Sequence, residues 1–153
     1  MCIIVDTSVA PLVFSNPTPP DYTPIFDWIE NKGGCLIYGG RLKTELFVMG
    51  KVARRIRGWS RAGRAMSVPD GDVDAEEKRL CNNGICRSDD PHVIALARIS
   101  FARTLCADDR DLETDFKDPT IVPKPRGRIY RNAGHVHLLT HSAGCIGNPR
   151  RRT

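Results

Sequence analysis

Short apolar runs alternate with segments of helical periodicity along most of the chain. The runs are four or five residues long and end at acidic or glycine residues, which is typical of buried strands. These predicted strands are Met1–Val5, Cys35–Tyr38 and Thr104–Ala107. Elsewhere apolar residues recur every three or four positions, which predicts amphipathic helices. The predicted helices are Val9–Phe14, Tyr22–Asn31, Leu42–Gly58, Val73–Leu80, a buried helix that begins at Pro91, and Leu112–Phe116. This alternation predicts an α/β fold in which helices cover a parallel sheet.

The remaining segments carry weaker patterns. Residues 60–88 are mostly polar, and we expect turns at Pro69–Gly71 and Asn82–Gly84. Ile121–Val122 and Arg128–Tyr130 are apolar enough for short edge strands, with a proline-rich turn between them. The predicted sheet therefore has three buried strands and two candidate edge strands.

Composition places the chain among soluble globular proteins. It has 153 residues, of which 41% are hydrophobic and 27% charged, and this fits one domain. No apolar run approaches the ~20 residues of a bilayer-spanning helix, and Met1–Val5 lacks the basic flank of a secretory signal. We therefore expect no membrane partner and a cytoplasmic protein.

The six cysteines form no CxxC pair. We expect free thiols, with Cys2 buried as a small hydrophobic residue. Two sets have a loose zinc-ligand spacing: Cys81 with Cys86, and His137 with His141 and Cys145. A zinc-binding module is therefore disfavoured.

Charge is unevenly distributed along the chain. The net charge is +5, and residues 123–153 carry seven basic residues and no acid. We therefore divide the chain into a domain at residues 1–131 and a basic C-terminal tail at residues 132–153. The tail is either a solvated, partly disordered extension or a segment that binds a polyanion.

Acidic residues follow two of the predicted strands. Asp6 comes directly after the first, and Asp108 and Asp109 come after the third. The carboxyl ends of parallel strands share one edge, where ligands of such sheets bind. Asp90 begins a helix and Glu45 is the single acid among eight basic residues between positions 41 and 64, so both can reach the same cleft. Because four ionised carboxylates repel one another, this set predicts a hard divalent cation, Mg²⁺ or Mn²⁺.

Each acid taken alone has a simpler explanation. Asp6 and Asp90 could cap helices. Glu45 could pair with basic neighbours on its own helix. The acids between residues 108 and 111 could belong to a solvated loop. The functional interpretation therefore depends on the whole set.

The order of four motifs resembles that of the PIN-domain nucleases. The motifs are Ile3–Ser8, Gly39–Leu46, Ser88–Ala97 and Thr104–Leu112. In size the chain is similar to the VapC-type toxin ribonucleases of this family. The resemblance implies a single-domain, three-layer α/β/α fold with a central parallel sheet. It also implies metal-dependent endonuclease cleavage of RNA that leaves 5′-phosphate and 3′-hydroxyl ends, a small antitoxin protein as partner, and a homodimer as one arrangement.

The resemblance assigns roles to individual residues. The catalytic and metal-binding positions are Asp6, Glu45, Asp90 and Asp109, which would hold one or two Mg²⁺ or Mn²⁺ ions. Three further residues are expected to support them: Asp111 as an additional metal ligand, Ser8 as the hydroxyl that orients Asp6 or a metal-bound water, and Asp108 as the alternative to Asp109. Ser8 could instead serve only as a helix cap. His92, beside Asp90, is expected to pack in the core.

Two groups of basic residues are candidates for binding a nucleic-acid backbone. They are Arg54, Arg55, Arg57 and Arg61 in the first group, and Lys124, Arg126 and Arg128 in the second. Trp59, within the first group, either offers a stacking surface or packs on the domain. Single-stranded or looped RNA suits a narrow cleft because its backbone is accessible.

Other functions remain open at this point. They are a PIN-like nuclease that acts on single-stranded DNA or in phage defence, and a non-catalytic RNA-binding module. A haloacid-dehalogenase-type phosphatase is disfavoured, because Asp6-Thr7-Ser8 lacks the second acid of its DxD motif.

Overall fold

The computed structural model describes residues 2–141 and 144–148. The strands are β1 (Cys2–Val5), β2 (Cys35–Gly39), β3 (Ala65–Val68), β4 (Thr104–Cys106) and β5 (Arg128–Tyr130). The helices are α1 (Ala10–Val13), α2 (Thr23–Asn31), α3 (Gly40–Phe47), α4 (Gly50–Arg61), α5 (Asp70–Asn83), α6 (Pro91–Ser100) and α7 (Arg110–Lys117), followed by a 3₁₀ helix (Ala133–Leu138). Met1, the first residue of the predicted first strand, and the arginines at 150–152 lie outside the described residues.

The five strands form one parallel sheet in the order β3-β2-β1-β4-β5. In the centre, Ile3 of β1 lies beside Leu36 of β2 and Thr104 of β4. All four residues of β1 are buried, which explains its unbroken apolar sequence. The predicted α/β class and the parallel sheet flanked by helices are confirmed, and the arrangement is consistent with three α/β/α layers.

After β3, the chain begins to add strands on the other side of β1. The chain first adds strands on one side of β1 and then crosses to β4 on the other side. Right-handed crossovers on the two sides of β1 direct the connecting helices to opposite faces of the sheet, with the exception of α3, which packs on α5 and α6. The reversal opens a crevice between the carboxyl ends of β1 and β4, the place where ligands of open α/β sheets bind.

Two consecutive glycines turn the chain from β2 into α3. Gly39 and Gly40 have φ values of 153° and 57°, which L side chains rarely adopt. A Cβ on Gly40 would lie 2.6 Å from Cγ1 of Val73, on α5. The Asp70 side chain accepts a hydrogen bond from the Gly40 amide (3.0 Å). This turn brings α3, which carries Glu45, back against α5.

The predicted helix Leu42–Gly58 is wrong, because it is divided into α3 and α4. Met49 has an extended backbone (φ −86°, ψ 104°), and the exposed Val48 precedes it. The apolar spacing continues across the break, so periodicity alone could not reveal it. The helices separate because α3 packs on α5 and α6, whereas α4 packs on β3.

Three other parts of the secondary structure differ from the prediction. The edge strand β3 was not predicted, because only its first and last residues, Ala65 and Val68, are buried. Residues 69–71 begin α5 instead of forming a separate turn. Ile121 and Val122 are buried in a turn, where both amides donate to the Asp118 carbonyl, and they form no strand.

The end of the described chain is tied to the start of the sheet. Cys2 and Cys145 form a disulfide, so the expectation of free thiols is wrong for this pair. Spacing could not predict it, because 143 positions separate the two cysteines. Leu138 and Cys145 are buried against the domain, and the Ile146 amide donates to the Ser100 carbonyl. Within the described residues, no helix is long and apolar enough to cross a bilayer.

Candidate active site

Asp6 and Ser8 join the carboxyl ends of β1 and β4. The Asp6 side chain is only 3% exposed, and its Oδ2 accepts hydrogen bonds from the Ser8 hydroxyl (2.7 Å) and amide (3.2 Å). The Ser8 hydroxyl also accepts from the Asp108 amide (3.0 Å). Ser8 therefore fixes the direction of the Asp6 carboxylate and fastens the two strand ends together across the crevice.

The two neighbouring acids after β4 face different surroundings. Asp109 is the N-cap of α7, and its Oδ1 accepts from the Leu112 amide (3.1 Å). Asp108 is exposed. The pKa of the Tyr22 hydroxyl is raised first by burial, then by Cys106 and then by the charge of Asp108. Asp111, in the first turn of α7, is also exposed. Asp109 is therefore the better placed of the doubled pair.

Asp90 lies at the N-cap position of α6, but its carboxylate does not bond to the amides of that described helix. Burial is the largest cause that raises the pKa of Asp90 above 3.8. The negative charges that raise it further are those of Asp6, Asp109 and Glu45. A nearby imidazole, that of His92, acts in the opposite direction. Asp6, Asp109 and Glu45 therefore each lie within electrostatic reach of Asp90.

Glu45 reaches this cluster from α3. Its side chain is 36% exposed, and its two oxygens lie near Arg41 Nε (3.6 Å) and His92 Nε2 (3.4 Å). The expected pairing with a basic neighbour on its own helix therefore exists. The second contact is with a fully buried residue of α6. Glu45 therefore lies between a neighbour on its own helix and the helix that begins after Asp90.

The donor atoms of the cluster are of the kind that a divalent cation prefers. Their present spacing is wider than that of a bound site, because no three His, Cys, Asp or Glu side chains of residues 2–141 and 144–148 form a ready metal-binding group. The available donors are carboxylate oxygens, which suit Mg²⁺ and Mn²⁺. The pKa of Asp90 is raised first by burial and then by the charges of Asp6, Asp109 and Glu45, and a bound cation would offset this repulsion.

Asp115 is a site-supporting residue that the sequence analysis missed. It lies on α7 and is completely buried, and its Oδ2 accepts from the amides of Arg87 and Ser88 (2.9 Å each). The Ser88 hydroxyl then accepts from the Asp90 amide (3.3 Å). The available signal was the position of Asp115 on the apolar face of its helix, three residues after Leu112.

The first basic group lies along α4, beside a cleft of about 1040 Å³ between α1, α2 and α4. Arg54 and Arg61 are exposed, with no ion pair among the described residues, whereas Arg55 pairs with Glu30 (3.0 Å). Arg57 stacks over the Phe47 ring. Trp59 is only 2% exposed and donates its indole N–H to Glu30, so it packs on the domain and offers no stacking surface.

The second basic group lies at the opposite edge of the sheet. Lys124, Arg126 and Arg128 precede or begin β5, so they lie at the amino ends of the strands. Arg126 donates to the Lys117 carbonyl (3.3 Å). The structure does not bring this group to the acids, which follow the carboxyl ends of the strands.

No family model matches this chain, and neither the curated proteins nor the solved structures contain a significant match. The candidate site is therefore defined by its own geometry: four acids from four separate segments, gathered at the crevice between β1 and β4.

Proposed function

We propose that this protein is a metal-dependent endoribonuclease that hydrolyses phosphodiester bonds in single-stranded or looped RNA. The observation that carries the proposal is the convergence of Asp6, Glu45, Asp90 and Asp109 at the carboxyl edge of the sheet. Burial is the largest cause of the raised pKa of Asp90, and the negative charges of Asp6, Asp109 and Glu45 raise it further. A protein gains nothing in stability from such a concentration of charge, so a functional explanation is favoured.

The four acids would hold one or two Mg²⁺ or Mn²⁺ ions. Such an ion supplies Lewis-acid stabilisation of phosphate charge and lowers the pKa of a bound water. The chain itself supplies orientation. Ser8 holds Asp6 through two hydrogen bonds. The Leu112 amide holds Asp109, and the segment fastened by Asp115 holds Asp90.

RNA would approach along the exposed basic side of α4. Arg54 and Arg61 are the members of the first group that neither pair with a described acid nor stack on a described ring. They lie seven positions apart, which places them on one helix face. Their contacts would be with phosphates, so they contribute affinity with little sequence preference.

The proposal is tested by incubating end-labelled single-stranded RNA and DNA with the full chain, in Mg²⁺ or Mn²⁺ and in EDTA. Asp6→Asn and Asp90→Asn should abolish cleavage while the circular dichroism spectrum stays unchanged. Asp89→Asn is the matched control, because Asp89 is the exposed neighbour of Asp90, and it should cleave normally.

Each result separates the candidate functions. Metal-dependent cleavage of RNA that is lost in both amide variants supports the proposal, and cleavage of DNA alone would change the substrate class. RNA binding without cleavage would indicate a binding module. The toxin role, with an antitoxin partner, is part of the proposal, and growth arrest by the wild-type chain but not by Asp90→Asn would support it.

A further inference from the structure

His92 is a polar residue in an apolar part of the core. It is the second residue of α6 and is completely buried, and the residues that follow it on the helix, Val93 to Ala97, are buried and apolar. Neither ring nitrogen has a hydrogen-bond partner among the described residues. Buried polar side chains in native proteins are nearly always hydrogen-bonded, so this imidazole needs an explanation.

The nearest acceptor is the Glu45 carboxylate. His92 Nε2 lies 3.4 Å from Glu45 Oε2, which is longer than a formed N–H···O bond of about 2.7–3.2 Å. The imidazole is enclosed by the core, whereas Glu45 is 36% exposed and has room to rotate. A small movement of Glu45 would complete the bond and give Nε2 a partner.

The other neighbour of Glu45 cannot fix it in the same way. Arg41 is half exposed, and its Nη1 also pairs with Glu77 on α5 (3.1 Å). Its Nε lies 3.6 Å from Glu45 Oε1. An arginine shared between two acids at the surface can follow either of them. His92 is therefore the rigid partner of Glu45, and Arg41 is the mobile one.

We propose that His92 is a positioning residue that donates its Nε2–H to Glu45 and directs this carboxylate toward Asp6, Asp90 and Asp109 when the cluster binds a divalent cation. The inference rests on the proposed function, because it gives His92 a task at the same site. Hydrogen bonds to the carboxylates that bind metals fix their orientation, and removal of such partners commonly weakens metal binding ~10–100-fold.

Mn²⁺ titration of the full chain, followed by the electron paramagnetic resonance signal of free Mn²⁺, tests this role without a turnover assay. His92→Leu fills the buried space and removes the donor, and its Mn²⁺ affinity should fall ~10–100-fold. His92→Gln can place an amide N–H near the position of Nε2, so it should recover most of the affinity. Ser100→Ala is the control, because it removes a buried hydroxyl at the far end of the same helix.

The outcomes distinguish positioning from packing. Equal Mn²⁺ affinity in wild type and folded His92→Leu would overturn the inference and leave the proposed function intact. An equal loss of Mn²⁺ affinity in His92→Leu and His92→Gln, in proportion to the fall in their melting temperatures, is the other contrary result. It would overturn the inference and show that His92 only packs in the core. Failure of the wild-type chain to bind Mn²⁺ would refute both the proposed function and the inference.

A second measurement uses the wild-type protein and needs no substitution in the core. In ¹⁵N-histidine-labelled wild-type protein, Mg²⁺ should shift the His92 Nε2–H resonance and slow its exchange with water, as the bond to Glu45 forms. An Nε2–H signal that is unchanged at saturating Mg²⁺ would overturn the inference.

Discussion

Asp115→Ala is expected to lower both stability and activity, although Asp115 is not a member of the acid cluster. The carboxylate is completely buried and accepts two amide hydrogen bonds, from Arg87 and Ser88, each 2.9 Å long. A bond to a charged group contributes about 1.5–3 kcal/mol. The Arg87 residue is exposed, so its amide can bond to water after the substitution, whereas Ser88 is buried.

We therefore expect the free energy of unfolding to fall by about 3 kcal/mol in Asp115→Ala. For a chain of this size such a loss lowers the melting temperature by roughly 6–12 °C. Asp115→Asn should lose about half as much, because one amide oxygen can accept both N–H groups but carries no full charge. Thr114→Ala, at a half-exposed position of the same helix, should change the free energy by less than about 0.5 kcal/mol.

Urea unfolding monitored by circular dichroism gives the three values. The rate of RNA cleavage by Asp115→Ala should also fall, even when it is measured well below the melting temperature of the variant. The reason is that the Ser88 hydroxyl accepts from the Asp90 amide, and Ser88 loses its own hydrogen bond to Asp115. The reasoning is refuted if Asp115→Ala is as stable as Thr114→Ala, or if the alanine and asparagine variants are equally destabilised.

Three further predictions follow from the charges and cross-links. Asp90→Asn should stabilise the metal-free protein at pH 7, because burial and the neighbouring acids raise the pKa of Asp90. This advantage should disappear as the pH falls toward 3.8 and the wild-type carboxyl is neutralised, and thermal melts across this range check it. Reduction of the bond between Cys2 and Cys145 should lower stability by about 2–4 kcal/mol, whereas Cys145→Ser should melt at one temperature with or without dithiothreitol. Arg54→Gln should reduce the slope of log affinity against log salt for single-stranded RNA by about 0.7, and an equal effect of Arg128→Gln would show that the distant basic group also binds.

The pattern of apolar and acidic residues within single segments predicted the elements whose burial is uniform along the segment. The central strands β1 and β4 are buried and, apart from Thr104, apolar, and acids follow both within three residues, so both the strands and the placement of Asp6 and Asp109 could be predicted. The edge strand β3 could not, because it lies against a single neighbouring strand and only its first and last residues are buried. An exposed strand of four residues has too few apolar positions for a pattern.

The missed features share a different cause. The disulfide, the contact between His92 and Glu45, and the support of the segment before Asp90 by Asp115 each join segments that are far apart in the chain. Spacing within one element carries no information about such contacts. Even the division of α3 from α4 depends on the different surfaces on which these helices pack.

The disulfide also determines on which side of the protein a tag or a solid support can be attached. Cys2 begins β1, and a Cβ on Gly147 would touch the sulfur atoms of Cys2 and Cys35, the first residues of β1 and β2. The residue after Met1 and the last described residues therefore lie together at the amino ends of the strands, one strand length from Asp6. A tag or a solid support attached at either end would leave the acid-lined crevice facing the solution. If the proposed function holds, the crevice of the immobilised protein would be accessible to a long RNA, and cleavage could be followed one molecule at a time.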